Sequence, residues 1–588
     1  MGNVDSLSCD LTFKPVYDSA PEYLKHGCNS LAIFALGYYL HIEDIEEFAT
    51  ASITEGGEDK KIDIFYLDLP ERRALVAQSY LAAEWGKAGA PSNKASDLNT
   101  ATTWLLSVDS SEVPPALRPR AVELRNAIRE GEIDRIEFVY VHNCHESSKV
   151  NSELKAVADG ARDKVRGIAG DRDTQIVIAH KEMGIESIED LYRSADKEIL
   201  VEGWLDLPRA KYFEQNGIAW RAILTSVPAS WLQALHKEHG ARLFSANYRD
   251  YLGQSRHQGN INFEITQTAE TEPANFWVFN NGVTALTHEL AFGGSVRLRG
   301  ISIINGAQTT GSLSEASGAQ AAEVQVPFRL VQCADRELID KIIRNNNTQN
   351  DLRPSDRRSS DSTQKRLGRE FAVSGVNYVH RRSGPRLPSN AVTAEGIAPA
   401  LCSFHGDPQT AFRNSRNIFL DDTIYERTFP RSLTVGHVFL VRSLSQAIDY
   451  VKSELKAKRQ GETATGLEDK QFEVLKYSAS KHFIFFLLGS AAEEIMGRKV
   501  SDLSNWKANT GVIRPDNHSL KDAWVACLHA ILPILATLIE SEGADSFYEV
   551  PRSKEKSRKI SSNLKALLAS LESTLAPQFD DLRTSTAI

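Results

Sequence analysis

The alternation of apolar and polar positions divides the chain into three regions. Between about residues 20 and 200, apolar runs of strand length alternate with runs of helical period. The predicted strands are "KIDIFYLDL", "RALVAQSYLA", "RIEFVYVHNC" and "TQIVIAHK", and the predicted helices include "SLAIFALGYYL", "KASDLNTATTWLLS" and a segment near 150–165. This alternation predicts an α/β domain.

The second region, to about residue 390, is richer in strands, and the third is mainly helical. Strands are predicted at "GIAWRAILTSV", "ANFWVFNNGVTAL", "RGISIING" and "QVPFRLVQC", followed by the helix "DRELIDKIIRNNN". In the third region we predict an exposed loop at "KAKRQGETATGLEDKQ" and a frayed end at "PQFDDLRTSTAI". The fold class is therefore mixed α/β and α+β in a multidomain chain, with domains at 1–200, 201–390 and 391–588.

Composition narrows the class of protein. Hydrophobic residues at 41% and charged residues at 25% are ordinary for a globular protein, and a net charge of −9 excludes one that coats nucleic acid by bulk attraction. The six cysteines form no CxxC pair, and the first residues lack the pattern of a signal peptide. We therefore expect a cytoplasmic protein.

Two apolar runs bear on membranes and on assembly. "HFIFFLLGSA" and "LHAILPILATLI" span only about 10–13 residues, whereas a bilayer needs about 20. We therefore expect no contact with a membrane. The runs fit either a buried core or the interface of a homodimer, and the sequence leaves both open.

Acidic residues and glycines lead into the first predicted hairpin. In "TEGGEDKKIDIFYLDLPERRALVAQSYLAAEW", Asp59 lies in the acidic turn, Asp63 heads the first strand and Gln78 lies on the second. This order resembles the pattern of PD-(D/E)XK nucleases, in which oxygen ligands on adjacent strands hold Mg²⁺ at a scissile phosphate. The resemblance implies a restriction-endonuclease-like domain in which Asp63 and Gln78 are the metal ligands and Asp59 lies close by.

The pattern departs from that family where a lysine is expected. The family carries Q-x-K on the second strand, and Tyr80 stands in place of the lysine here; the preceding helix also lacks the family's glutamate. Lys94 or Lys87 could supply the ammonium that orients water. An active nuclease, a degenerate nuclease fold and an ordinary α/β domain with an acidic turn all remain open.

Three polar clusters each follow an apolar element, where α/β folds usually place ligands. They lie after the aromatic strand predicted in "FWVFNNGVTAL", in "IINGAQTT" between a strand and a helix, and at the helix end in "IIRNNNTQNDL". The candidate ligand-binding residues are Asn280, Asn281, Asn305, Gln308, Thr309, Asn347 and Gln349. None titrates near neutral pH, so we expect binding and no acid–base chemistry; the alternative is a set of ordinary turn and cap residues.

Positive charge is concentrated between residues 351 and 386, where nine basic residues face four acidic ones. The candidate nucleic-acid-binding residues are Arg353, Arg357, Arg358, Arg381 and Arg382. Arginines in such a patch suit contacts with a phosphate backbone. The alternative is a solvated helix with intrahelical ion pairs.

Four segments together resemble a known family. "FNNGVTAL", "IINGAQTTGSL", "IIRNNNTQNDLRPSD" and "YVHRRSG" resemble successive motifs of the AIPR family, the abortive-infection phage-resistance proteins. The strand–NGAQTT–helix order is also distantly similar to ParB and sulfiredoxin-like domains, although Gln308-Thr309 replaces their charged His-Arg pair.

The resemblance implies bacterial antiphage defence with nucleic acid, DNA or RNA, or a nucleotide as the ligand. Two readings follow: a Mg²⁺-dependent endonuclease, and a non-catalytic sensor with a degenerate nuclease fold.

Overall fold

The computed structural model describes residues 11–54, 60–170, 176–195, 197–208, 211–247, 259–293, 295–316, 324–346, 355, 358, 361–380, 391–509, 511, 513, 518–543 and 546–588, with the backbone alone at 259–264, 315 and 344. Helices make up 58% of the structure and strands 17%, so the predicted mixed α/β, multidomain architecture is confirmed. Apolar side chains gather in several clusters, as a chain of 588 residues requires. The domain boundaries near 200 and 390 stay a prediction.

The first region builds a four-stranded sheet between two layers of helices. In spatial order its strands are β1 (Ile64–Asp68), β2 (Arg73–Tyr80), β3 (Arg135–His142) and β4 (Val177–Met183). The hairpin of β1 and β2 is antiparallel, and β2, β3 and β4 are parallel. The helices are α1 (Lys14–Asp18), α2 (Pro21–Leu24), α3 (Ser30–Leu40), α4 (Ile45–Ser52), α5 (Ser92–Ser96), α6 (Leu98–Leu106), α7 (Arg118–Glu130), α8 (Ser148–Ala169) and α9 (Ile185–Arg193).

Alternate side chains of this sheet enter different apolar clusters, as the two-residue period of a strand requires. Leu75 and Ala77 of β2 pack with residues of α3, α4 and α9. Ala74 and Val76 pack with residues of α6, α7 and α8 on the other face. Both faces of the sheet are thus covered, which explains why its strands are nearly continuous apolar runs.

The central region forms a second sheet. Its strands are β5 (Val201–Asp206), β6 (Phe213–Asn216), β7 (Trp220–Pro228), β8 (Val283–Thr287), β9 (Glu289–Phe292), β10 (Val296–Asn305) and β11 (Gln325–Cys333). The spatial order is β5-β10-β8-β11-β7-β6, with β9 also paired to β10. All its pairs are antiparallel except β8 with β11. The helices are α10 (Ala229–His239), a 3-10 helix (Gly240–Asn247), α11 (Gly259–Thr271), α12 (Phe276–Phe279), α13 (Ala307–Glu315) and α14 (Arg336–Asn346).

The two faces of the central sheet are covered unequally. One face forms a large apolar cluster with α10, α11 and α13, whose members include Leu232 and Leu313. The opposite face carries a smaller cluster, centred on Leu286 and Val331, beneath partly buried side chains of α14 such as Ile342. Among the described residues, helices cover less of this second face than of the first.

Helices dominate the remainder of the chain. They are α15 (Ser362–Val373), α16 (Ala394–Phe404), α17 (Pro408–Arg413), α18 (Asn417–Leu420), α19 (Asp422–Thr428), α20 (Val435–Gln460), α21 (Gly466–Leu475), α22 (Ser480–Ser490), α23 (Ala492–Met496), α24 (Ser519–Glu540), α25 (Ser546–Arg552), α26 (Lys554–Ser570) and α27 (Glu572–Ser585). Short strands pair β12 (Asn377–Val379) with β13 (Ala391–Thr393), and β14 (Lys507–Ala508) with β15 (Thr586–Ala587).

The two apolar runs singled out in the sequence lie in α22 and α24. Phe483 and Leu487 of α22 and Trp524 and Leu528 of α24 are buried in the largest apolar cluster. Among the described helices, α24 alone has the length and hydropathy to cross a membrane, and half of that window is buried inside the protein. This burial is typical of a core helix.

The strand predicted at "ANFWVFNNGVTAL" is confirmed in its second half, as β8, and is wrong in its first half. The aromatic segment before Asn280 is the single helical turn α12. Phe276 is buried, whereas Trp277 turns outward and its indole N–H donates to the Ser226 hydroxyl at 2.9 Å. Trp277, Val278 and Phe279 are all exposed, and the alternation of a strand would not leave three successive side chains in solvent.

The predicted loop is much shorter than expected, and the predicted frayed end is wrong. Helix α20 extends to Gln460, and Thr465 and Glu468 form a capping box that starts α21, so only residues 461–465 interrupt the helices. At the C-terminus, Phe579 is buried and the Trp506 indole N–H donates to the Thr586 hydroxyl at 3.0 Å. Side-chain caps and long-range contacts decided these segments, and local composition does not reveal them.

A buried ion pair joins the first region to the helical one. The Arg552 guanidinium of α25 lies 2.9 Å from the Glu123 carboxylate of α7, and both side chains are less than 10% exposed. The Ser478 backbone N–H donates to the same carboxylate oxygen at 2.9 Å. The Arg552 guanidinium also stacks over the Tyr548 ring, 4.0 Å from its centroid.

Candidate functional site

The structure places Asp63 and Gln78 in direct contact. Ile64 pairs with Ala77 across the hairpin, so Asp63 lies opposite Gln78. The Gln78 amide N–H donates to one Asp63 carboxylate oxygen. The Ser79 backbone N–H donates to the same oxygen at 2.7 Å. The two residues predicted as metal ligands therefore share one site at the end of the hairpin.

The amide oxygen of Gln78 is buried and accepts no hydrogen bond from any described residue. Leaving a buried acceptor unsatisfied costs about 1–3 kcal/mol, so such an atom suggests a missing partner. A carboxylate and an amide oxygen together are the ligand type that Mg²⁺ prefers. These two donors fit the predicted metal.

The rest of a metal site is not found in the described chain. Among the described residues, no group of three His, Cys, Asp or Glu side chains is placed to hold a metal ion. Asp59 lies outside the described residues. Its predicted place beside Asp63 stays a prediction.

The described contacts do not bring Lys94 to the carboxylate. Lys94 lies on α5, which packs against β2, and its ammonium makes no hydrogen bond or ion pair with a described residue. Tyr80, where the PD-(D/E)XK pattern has a lysine, packs against the apolar cluster beside α8. The contacts of Lys94 and Tyr80 therefore do not place either side chain on Asp63 or Gln78.

Sequence reasoning missed a tyrosine beside this pair. Tyr140 lies on β3 directly opposite Gln78, and its hydroxyl donates to the Pro91 carbonyl oxygen at 3.4 Å. Burial raises the pKa of Tyr140, and nearby acidic groups, among them Glu182 and Asp63, raise it further. The phenol therefore keeps its proton at neutral pH. Its position in a buried strand gave no signal in the sequence.

A histidine and a glutamate pair at the same edge of the sheet. The Cys144 backbone N–H donates to His142 Nδ1 at 3.3 Å, so the ring proton is on Nε2, which donates to the Glu182 carboxylate at 3.1 Å. The Ser147 backbone N–H donates to that carboxylate at 3.0 Å. Both side chains are almost fully buried. Their place at the ends of β3 and β4 was the available signal, but their spacing of 40 residues hid it.

The polar turn after β10 is built on a left-handed glycine. Gly306 has φ +96°, and a Cβ there would come within 2.8 Å of the Gly282 carbonyl oxygen. Thr310 donates its hydroxyl to the Gly306 carbonyl oxygen at 3.0 Å, within the first turn of α13. The first and second polar clusters of the sequence therefore touch through their glycines.

The third cluster also reaches this turn. The Asn305 side-chain amide donates to the Asn346 carbonyl oxygen at the end of α14. Arg329 of β11, which the sequence did not single out, donates to the Asn346 side-chain oxygen and to the Thr284 hydroxyl, the latter at 3.1 Å. All three clusters thus converge around one arginine.

The other predicted ligand residues differ in burial and in contacts, and they do not form one group. Asn280 donates its side-chain amide to the Phe276 carbonyl oxygen at 3.2 Å, and Asn281 is exposed. Gln308 is half-buried and Thr309 is buried in α13. Asn347 and Gln349 lie outside the described residues.

Of the five predicted nucleic-acid-binding arginines, only Arg358 is described. Arg353, Arg357, Arg381 and Arg382 lie outside the described residues. Arg358 donates to the Phe419 carbonyl oxygen at 2.9 Å, pairs with Asp422 at 2.5 Å and stacks 4.5 Å from the Tyr425 ring centroid. These contacts fasten Arg358 to the helical region.

Comparison with known proteins identifies the family. Residues 244–575 match the family described as "AIPR protein", which covers the convergent clusters and more than half of the chain. The matched residues do not include the Asp63 site. No curated protein and no solved structure shows a significant match to the chain. The chain belongs to the AIPR family.

Proposed function

We propose that this protein is an antiphage effector that cleaves nucleic acid at Asp63 and Gln78. Membership of the AIPR family supports a role in abortive-infection defence. The contact of Asp63 with Gln78, whose amide oxygen is buried without a partner, is the observation that supports cleavage. We expect the effector to act in the cytoplasm.

Each residue of this site would have a separate role in phosphate cleavage. Asp63 and Gln78 would supply the oxygen ligands, and the Ser79 N–H holds the carboxylate in place. Bound Mg²⁺ would polarise the phosphate and activate water. Tyr140 keeps its proton because burial raises its pKa, and its hydroxyl would have to turn from the Pro91 carbonyl oxygen to donate to a phosphate oxygen. Lys94 is proposed to orient water.

Cleavage assays on the full chain test this proposal. Single- and double-stranded DNA and RNA are incubated with Mg²⁺ or Mn²⁺, and we expect Asp63→Asn to lower the rate by about 100-fold or more because several kcal/mol of metal stabilisation are lost. Asp163→Asn is the matched control, since Asp163 is 83% exposed on α8 of the same region. Undiminished cleavage by Asp63→Asn, with a circular dichroism spectrum like that of the wild type, would refute the assignment.

A second function is favoured by the residue at position 80. The PD-(D/E)XK pattern has a lysine at this position, whereas Tyr80 packs against an apolar cluster. The loss of that lysine suits a fold that binds nucleic acid without cleaving it. In that case no metal-dependent cleavage occurs, and binding of DNA or RNA survives chelation with EDTA. Affinity should fall steeply between 50 and 200 mM salt, as counterion release requires. Loss of binding in EDTA would exclude this alternative.

We also propose that the protein forms a homodimer. The apolar faces of α22 and α24 are used within the chain, so a dimer would need another surface. Light scattering at several protein concentrations measures the mass directly, and a mass of 65.2 kDa throughout would show a monomer.

A further inference from the structure

An open groove lies on the less protected face of the central sheet. It runs between α14 and the β6–β7 hairpin, and its volume is about 370 Å³. Its apolar lining includes Phe213, Trp220, Leu224, Val331, Leu338 and Ile342. This volume lies within the range of small-molecule binding sites.

The groove changes from apolar to polar along one row of cross-strand neighbours. Phe213 of β6 pairs with Leu224 of β7, and Leu224 pairs with Arg329 of β11. Arg329 pairs with Thr284 of β8, and Thr284 pairs with Asn305 of β10. Directly paired residues lie on the same face of a sheet, so all five side chains face the groove side. One end is aromatic and the other end carries the convergent polar clusters.

Arg329 brings an uncompensated positive charge to the polar end. Its hydrogen-bond partners among the described residues are the Thr284 hydroxyl and the Asn346 side-chain oxygen, which are neutral acceptors. In the described ranges no carboxylate pairs with it. These contacts hold the guanidinium in place without neutralising it, and a planar guanidinium suits the oxygens of a phosphate.

The apolar end leaves large side chains open to solvent. Phe213 is 65% exposed and Leu224 is 51% exposed, although they lie side by side. Trp220 stands at the start of the same strand β7. A flat ring placed over this end would cover apolar surface, and stacking of a base on an aromatic side chain is favourable for any base.

We propose that this groove binds a nucleotide, with the base over Phe213 and Leu224 and the phosphate on Arg329. Asn346, which contacts the Arg329 guanidinium, and Asn305, which donates to Asn346, then lie at the phosphate end of the groove. The charge and the apolar surface are complementary to this ligand class at its two ends. The proposal goes beyond cleavage at Asp63, because the groove belongs to a different sheet.

Isothermal titration calorimetry of the full chain with AMP and with adenosine tests whether the negative charge of the phosphate contributes to binding. We expect AMP to bind and adenosine to bind about 10- to 100-fold more weakly, since the phosphate supplies charge-assisted hydrogen bonds. Anisotropy of a fluorescein-labelled single-stranded dT10 forms a second arm. AMP binding without dT10 binding assigns a free nucleotide, and tighter dT10 binding assigns a nucleotide within a strand. No binding of either probe overturns the proposal, as does equal affinity for AMP and adenosine.

Variants locate the site. Arg329→Gln should weaken binding of AMP or dT10, whichever the wild type binds, about 10- to 100-fold. Arg299→Gln is the matched control, because Arg299 lies on β10 beside β5 and β9, away from β6 and β7, and pairs with Glu289. Phe213→Ala should weaken binding about 5- to 100-fold, and Phe213→Tyr should retain it because the ring remains.

The exposed Phe213 can be replaced without disturbing a core, so this variant remains informative if Arg329→Gln unfolds. Wild-type affinity in Phe213→Ala would overturn the proposal. Asp63→Asn should bind the nucleotide as the wild type does, so a failure of cleavage leaves this test intact.

Discussion

Replacing Gly306 by alanine should destabilise the central region strongly, whereas the same change five residues later should not. Gly306 has φ +96°, where a residue with a Cβ pays about 1–2 kcal/mol. The new Cβ would also lie 2.8 Å from the Gly282 carbonyl oxygen and 3.0 Å from the Val283 Cα, both of them backbone atoms. Overpacking of this kind costs about 1–3 kcal/mol. Gly306→Ala should therefore lower the free energy of unfolding by about 2–4 kcal/mol.

Gly311 provides the matched control within the same helix. It lies inside α13, and a Cβ there would meet no atom within 4 Å. Gly311→Ala should stabilise the helix by up to about 1 kcal/mol because alanine has the higher helix propensity. The two variants should therefore differ by about 2–5 kcal/mol.

Hydrogen–deuterium exchange of peptides that cover α13 reads the local opening free energy directly. A change below about 0.5 kcal/mol in Gly306→Ala would refute the strain argument, since exposed and unstrained substitutions are usually of that size. An equal loss in Gly311→Ala would refute it too, because α13 would then tolerate no added methyl group at all.

Three further outcomes are expected. Glu123→Ala should cost about 3–5 kcal/mol in urea unfolding because it leaves Arg552 buried without its carboxylate, and a loss below about 1 kcal/mol would contradict this. Burial lowers the pKa of His482 to about 3, so its contribution to stability is present above pH 6.5 and is lost as pH falls from 6.5 towards 3. His482→Gln should accordingly show a smaller fall in unfolding free energy over that window, and a slope equal to that of the wild type would exclude the effect. Truncation before α27 removes buried Phe579 and Leu582 and should expose the helical core to proteolysis; unchanged resistance to trypsin would show that α27 is dispensable.

Strong local periodicity made the first sheet predictable. All four of its strands are apolar runs bounded by polar turns, and each occurs where the sequence predicted it. The contact of Asp63 with Gln78 followed from the length of the hairpin, because one tight turn leaves little freedom of register. The short α12 was missed because four aromatic and apolar residues fit one helical turn as well as a strand.

Residues that act through distant partners were not predictable. Arg329 follows the alternation of β11, and only the pairing of β11 with β8 and β7 shows that it lies in the middle of the row from Phe213 to Asn305. Tyr140 and His142 join the Asp63 site through the parallel register of β3 with β2, and the long connection between these strands gives no local signal. Sheet order is a tertiary property, so the sequence pattern of one strand cannot reveal it.

The ion pair between Glu123 and Arg552 also sets a time for folding. The two residues are 429 positions apart. At about 5–20 residues per second, ribosomes need about 20–90 s to make that stretch. During this interval Glu123 lacks the guanidinium that pairs with it in the folded protein, so its carboxylate reaches its final buried environment only after α25 has been made. A chain terminated before Arg552 would never complete the pair, and its Glu123 would stay without the buried cation.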